Sequence, residues 1–208
     1  MEMNPHDLIK IKEEEDLLAD LPLPAWVSES LNLAPFVVVR RSHSPDGKIP
    51  VGVRGRERGQ RFPAWLPEKK AVAVITPYSL MVSANSTRIN DPGAPAAIRS
   101  LRRITPLLQR TGYRWGPTGS VGFELAANTT TVKEDSDLDI LIDLPEFVPI
   151  LWATRLMEDL QRRTLVRVDV QLNTPQGSLA LADYIGAGKV LVKGNSGPLL
   201  LDRNTLWL

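Results

Sequence analysis

The chain has 208 residues, 43% of them hydrophobic, enough for one large domain or two small ones around a real core. It has no cysteine and only two histidines, His6 and His43, which excludes disulfides, thiolate zinc sites, cysteine nucleophiles and histidine-rich metal centres. No apolar run approaches the ~20 residues of a membrane helix, the formal charge of +1 argues against a general nucleic-acid binder, and Met1 to Asp7 lack the order of a signal peptide, so a cytoplasmic location is expected.

Charge is unevenly spread. Residues 1–20 carry seven acids against Lys10 and Lys12, whereas residues 40–61 carry seven bases (Arg40, Arg41, Lys48, Arg54, Arg56, Arg58, Arg61) against Asp46 and Glu57. A polyphosphate ligand or an acidic protein partner would explain the basic stretch, as would a solvated loop. Leu21-Pro22-Leu23-Pro24-Ala25-Trp26 reads as an extended approach to a short helix. Phe36 to Arg40 reads as a buried strand, Ser44-Pro45-Asp46-Gly47 as a turn, and Ile49 to Arg54 as the second arm of a hairpin. Gly52, Gly55 and Gly59 among the arginines suit either close backbone approach to a ligand or a flexible loop. Ala71 to Ile75 is a further short apolar element. Ser83 to Pro95, rich in Asn, Ser, Asp, Pro and Gly, reads as a domain junction. This gives a small mixed unit over residues 1–88 and a second unit over 89–208.

The second unit is more regular. Ile98, Leu101, Leu107 and Leu108 mark a helix that Pro106 should kink or shorten, with Gly112 as its C-terminal cap. Tyr113-Arg114-Trp115 suggests a strand leading to the turn Gly119-Ser120. A strand at Asp137 follows, then a helix from about Phe147 to Arg162 packing Phe147, Ile150, Leu151, Met157 and Leu160. A strand around Asp169 and a helix near Leu179 to Ile185 come next, and Val190–Val192 with Leu199–Leu201 closes the chain as a hairpin around Lys193 to Gly197.

The chemistry sits in Asp137-Leu138-Asp139. On a strand the two acids share one face while Leu138, Ile140 and Ile142 point into a core. Carboxylates so placed repel each other unless a cation lies between them, and hard oxygen ligands suit Mg²⁺. Val166 to Leu172 alternates strictly, putting Val166, Val168, Val170 and Leu172 inward and Asp169 on the other face. If the two strands pair, Asp169 joins the first two acids. A Gly-Ser turn at Gly119-Ser120 would present backbone N–H groups to a phosphate. Asp143 precedes Pro145 and reads as a cap, Glu134 and Asp135 as solvated loop residues, His6 as structural, and Lys189 and Lys193 as surface groups.

The series hydrophobic, Gly-Ser, spacer, acid-hydrophobic-acid, helix, hydrophobic-acid-hydrophobic resembles the nucleotidyltransferase superfamily. The resemblance implies an α+β fold in which the small mixed domain precedes a polymerase-β-like palm with a mixed sheet. Residues 121–136 between Ser120 and Asp137 exceed that family's usual spacing, with the excess around Asn128 to Thr131. Pro5-His6-Asp7-Leu8-Ile9, Leu23-Pro24-Ala25-Trp26-Val27, Phe36 to Arg41, Val51-Gly52-Val53-Arg54-Gly55, Gly116 to Ala126 and Ser136 to Asp139 resemble one branch of it. That branch is the phosphoribosyl-dephospho-CoA transferases of malonate decarboxylase, its holo-acyl-carrier-protein synthases.

The resemblance implies transfer of a phosphoribosyl-dephospho-CoA group from 2'-(5''-triphosphoribosyl)-3'-dephospho-CoA to a serine of the acyl-carrier subunit, with pyrophosphate leaving. It makes Asp137, Asp139 and Asp169 the catalytic Mg²⁺ ligands and Gly119 and Ser120 phosphate binders; from the basic stretch Arg54 and Arg61 are expected as further phosphate binders, with the carrier protein as the other ligand its arginines could hold. Partners are the donor and the carrier subunit, with no nucleic acid and no membrane. Two alternatives stand beside it: a nucleotidyltransferase of the same fold using an ordinary nucleoside triphosphate on a small molecule or protein, and a carrier-protein binding module without chemistry.

Overall fold

The computed structural model describes residues 3–42, 47–57, 59–82, 87–186, 188–194 and 197–208. The expected turn at Ser44 to Asp46, the first part of the junction at 83–86, the tip of the last hairpin at Asn195 and Ser196, and both His43 and Arg58 lie outside these residues.

The first unit is a five-stranded antiparallel sheet. β1 (Leu8–Lys10) lies between β2 (Phe36–Val39) and β5 (Ala73–Ile75), and β3 (Lys48–Arg54) and β4 (Arg61–Pro67) extend the sheet beyond β2. α1 (Ala25–Leu33) follows Pro24 and buries Val27 and Leu31. Val37, Val51 and Leu66 fill the centre of this core.

β4 was not foreseen. Pro63 and Pro67 speak against a strand, but β4 lies at the sheet edge, where a missing N–H costs no ladder bond. Its pairing with β3 sets Arg54 directly opposite Arg61, so this part of the basic stretch is an ordered hairpin rather than a loop.

After α2 (Pro77–Val82) and α3 (Thr87–Asn90), the second unit is a mixed six-stranded sheet in the order β11-β10-β9-β8-β7-β6. Its strands are β6 (Trp115–Pro117), β7 (Leu138–Asp143), β8 (Val168–Thr174), β9 (Gly177–Ala180), β10 (Lys189–Gly194) and β11 (Gly197–Asp202). Its helices are α4 (Ala96–Gln109), α5 (Gly119–Ala127), α6 (Ile150–Arg163) and α7 (Leu181–Ile185). Only β7 and β8 run parallel, and α6 makes the crossover between them.

α4 continues through Pro106 to Gln109. Pro106 is on the exposed side of the helix, where water can satisfy the carbonyl left without an N–H donor. α6 begins at Ile150, after Pro149, rather than at Phe147. Ala153, Leu156 and Leu160 form its core face, while Phe147 and Leu151 are exposed. The stretch expected as a helix from Leu179 divides into the end of β9 and the short α7. Among the described residues no helix is long and apolar enough to cross a membrane.

Two packing contacts between the units stand out among the described residues. Leu8, Ala34 and Phe36 pack on Phe123 of α5, the Phe36 and Phe123 rings edge to face at 6.4 Å. At the start of α2 the chain presses onto β6: a Cβ on Gly116 would overlap the Pro77 carbonyl and stand 2.9 Å from Tyr78 N.

Candidate active site

Parallel pairing puts Asp139 of β7 directly opposite Asp169 of β8. Leu138, Ile140, Ile142, Val168, Val170 and Leu172 fill the core beneath, so the alternating acids and Gln171 occupy the other face of the sheet. Asp137 stands one residue ahead of β7, on the incoming loop, and the Leu138 N–H then bonds Arg167 O at 3.0 Å. Asp137 and Asp139 are half-buried, while Asp169 is exposed and pairs with Arg167 at 2.9 Å.

Burial pushes the Asp139 carboxyl above the usual carboxylate range. Asp169 and, less strongly, Asp137 push the same way, and Arg54 and Arg61 pull against them. The three acids therefore form one electrostatic group. Among the described residues, no three acidic or imidazole groups gather closely enough to hold a metal ion as they stand. The donor set is all carboxylate, however, and that chemistry fits a hard divalent cation.

Gly119 and Ser120 are the first residues of α5 rather than a free turn. Thr118 N–H bonds Asp139 O at 2.9 Å, seating the start of α5 beside β7. Gly119 has φ +60°, and a Cβ there would collide with Asp139 Oδ2 and lie 2.9 Å from Asp139 Cγ. The Thr118 side chain makes no capping bond, so the first-turn N–H groups of α5 lack a side-chain acceptor. Thr118 and Gly119 line a cleft, and this end of α5 turns the positive pole of the helix toward it, the polarity that suits an anion.

The loop from Asn128 to Ser136 is tied back to α5. Glu124, fully buried, accepts from Thr131 N at 2.7 Å and Val132 N at 2.8 Å, and its other oxygen faces Arg88 Nη1 at 3.1 Å. Asn128, at φ +51°, ends the helix, and Thr131 Oγ1 donates to Ser120 O at 3.2 Å. Glu124 thus fixes the approach to Asp137. Sequence reasoning passed over it, although it is the one charged residue of α5, which is the signal that marks it.

The cleft between the two sheets has a volume of about 1170 Å³. Asp139 and Asp169 line one side, with Gly119; Arg40, Arg54 and Arg61 line the side given by the first unit, and Lys193 reaches in from β10. Burial and Arg61 lower the Arg54 pKa, and Asp139 opposes them. Arg56 is exposed and not among the lining residues.

Asp143, expected as a cap, sits at the far end of β7 with its carboxylate paired to Arg114 at 2.5 Å and accepting from Asn173 at 3.1 Å instead. His6 lines the cleft; sequence reasoning allowed it to touch the site but favoured a structural part.

The model of the phosphoribosyl-dephospho-CoA transferase MdcG N-terminal domain matches residues 4–77, and that of the C-terminal domain matches residues 82–204. The phosphoribosyl-dephospho-CoA transferase of Azotobacter vinelandii is 37% identical over 202 residues, covering 95% of this chain and 92% of the relative. Proteins of the same name from Pseudomonas aeruginosa (37%, covering 95% and 91%) and Pseudomonas fluorescens (36%, covering 90% and 87%) are similarly close. No solved structure matches the chain. The two domain models account for most of the sequence and the relatives align nearly end to end: this chain is a transferase and belongs to the phosphoribosyl-dephospho-CoA transferase family.

Proposed function

We propose that this enzyme transfers a phosphoribosyl-dephospho-CoA group from 2'-(5''-triphosphoribosyl)-3'-dephospho-CoA to a serine of the acyl-carrier subunit of malonate decarboxylase, in the cytoplasm. The observation that carries the reading is the composition of one cleft: register-matched Asp139 and Asp169 and the amide end of α5 face Arg54 and Arg61 of the first unit. Residues 1–88 serve as the binding domain and 89–208 as the catalytic domain.

Gly119 and Ser120 receive the β- and γ-phosphates on their N–H groups, and Arg54 and Arg61 neutralise the remaining phosphate charge. The serine Oγ forms a bond to the α-phosphorus, the bond from that phosphorus to the bridging oxygen breaks, and pyrophosphate leaves with the electron pair. The serine proton passes to Asp169, the exposed acid of the three. Asp137, Asp139 and Asp169 would hold Mg²⁺, which when bound would neutralise triphosphate charge and make the hydroxyl more acidic. Glu124 holds the loop that leads to Asp137 against α5, and the bare Cα of Gly119 lets the Asp139 carboxylate approach the phosphate-binding end of that helix.

Mass spectrometry of the carrier subunit after incubation with the enzyme, donor and Mg²⁺ tests this directly. One phosphoribosyl-dephospho-CoA group should appear on one serine, with pyrophosphate released in equal amount. An unmodified carrier refutes the acceptor, and a preference for ATP over the triphosphoribosyl donor in competition refutes the donor.

A further inference from the structure

His6 precedes β1 in an unusual backbone state. Its φ of +78° is in the left-handed region that side-chain-bearing residues seldom occupy. A tight turn holds it there: Asp7 N–H bonds Asn4 O at 3.0 Å, Asn4 N–H bonds the Asp7 carboxylate at 2.8 Å, and His6 N–H bonds Val39 O at 3.1 Å. Strain of this kind persists where the surroundings over-determine it, and it concentrates at functional sites.

The turn aims the His6 ring across the boundary between the units. His6 Nε2 lies 3.3 Å from Arg41 Nη1 and 3.1 Å from Gln171 Nε2. A guanidinium can only donate, so His6 Nε2 is the bare nitrogen and accepts from both, which leaves the ring proton on Nδ1. Burial, with Arg41 and Lys193 nearby, lowers the His6 pKa to about 4, so the ring is neutral at pH 7 and retains this acceptor. Arg41 belongs to the unit that carries Arg54 and Arg61. Gln171 is two residues beyond Asp169 on the same face of β8.

We propose that His6 is a positioning residue: through Gln171 it clasps the arginine-bearing unit to β8, and so fixes Arg54 and Arg61 at the spacing from Asp139 and Asp169 that a polyphosphate needs. This rests on the reading of the cleft as a phosphate site.

A double-mutant cycle on the full chain tests it, with tripolyphosphate affinity by calorimetry and donor KM as readouts. His6→Ala and Gln171→Ala should each weaken tripolyphosphate and raise donor KM roughly tenfold, the double variant should be no worse than either, and kcat at saturating donor should change less than about threefold. His6→Gln, which returns an acceptor near the Nε2 position, should recover most of the loss. His6→Gly relieves the backbone but lacks the ring, so it should be at least as stable as His6→Ala and bind equally poorly.

The clasp is overturned if the single effects multiply to about a hundredfold in the double variant, if His6→Gln is as weak as His6→Ala, or if the wild-type chain does not bind tripolyphosphate. If the cycle comes out as expected but the carrier subunit remains unmodified, the clasp stands and the proposed acceptor falls.

Discussion

Replacing Gly119 by alanine puts a methyl group against the Asp139 carboxylate. At φ +60° an alanine carries a backbone cost of about 1–2 kcal/mol. The new Cβ would also stand 2.9 Å from Asp139 Cγ, against an ordinary carbon contact of about 3.5–4.0 Å, so the carboxyl group must retreat by about 1 Å. A displacement of that size at a reacting centre costs about a hundredfold in rate, and the strain should lower Tm by about 3–8 °C. Gly112 separates the two effects: it has φ +76°, but a Cβ there meets nothing within 4 Å. Gly112→Ala should lose similar stability and keep normal turnover. The assay is steady-state transfer to the carrier subunit beside a thermal melt of each variant. Near-normal kcat in Gly119→Ala, or an equal loss of kcat in Gly112→Ala, refutes the claim that Asp139 works from its present position.

Asp139→Asn should abolish transfer, raise Tm in the absence of Mg²⁺ by relieving a buried carboxylate of its like-charged neighbours, and remove the Mg²⁺-dependent rise in Tm that the wild-type chain should show. Substantial turnover in that variant removes the metal-site reading. Arg54→Gln with Arg61→Gln should raise donor KM more than about tenfold and flatten its salt dependence while leaving carrier KM in place; movement of carrier KM alone assigns this pair to docking instead. Burial raises the Asp7 carboxyl from 3.8 to about 6, so the folded chain keeps a proton that the unfolded chain has released, and stability falls as pH rises through that window. Asp7→Asn should therefore add up to about 3 kcal/mol at pH 7. It should also unmask the opposite slope of His6, whose lowered pKa makes stability rise with pH between about 4 and 6.5. Melts of Asp7→Asn that match wild type at every pH refute this.

The sequence exposed what alternation and charge can show. Val166 to Leu172 has a strict two-residue period, so the side of β8 that carries Asp169 was readable without coordinates. The apolar face of α4 was readable from its helical spacing, but that of α6 only at Leu160: Pro149 moves its start to Ile150, Phe147, Ile150 and Leu151 are exposed, and Ala153 and Leu156 pack with Leu160 instead. Pairings between distant segments were not readable. Nothing local in Arg61 to Pro67 says that it forms an edge strand, and only that pairing brings Arg61 opposite Arg54. Gly119-Ser120 looks the same in sequence whether it makes a turn or opens a helix; the contact with Asp139 decides, and it comes from 20 residues further along the chain. His6 was given a structural part because its partners, Arg41 and Gln171, stand 35 and 165 residues away.

The division of labour across the cleft bears on recombination between relatives. The acids and the amide end of α5 come from one unit, while Arg40, Arg54 and Arg61 come from the other. A chimera cut between the units would graft one parent's polyphosphate affinity onto another's acid set. Three contacts set the terms of such a graft: Phe36 on Phe123, the Pro77 carbonyl against Gly116, and His6 on Gln171. The first is a matter of shape and tolerates like-for-like exchange of apolar side chains, whereas the second requires glycine at 116, because any Cβ there meets the Pro77 carbonyl. The third depends on one nitrogen accepting from both sides, so parents that differ there should yield chimeras that fold yet bind donor poorly.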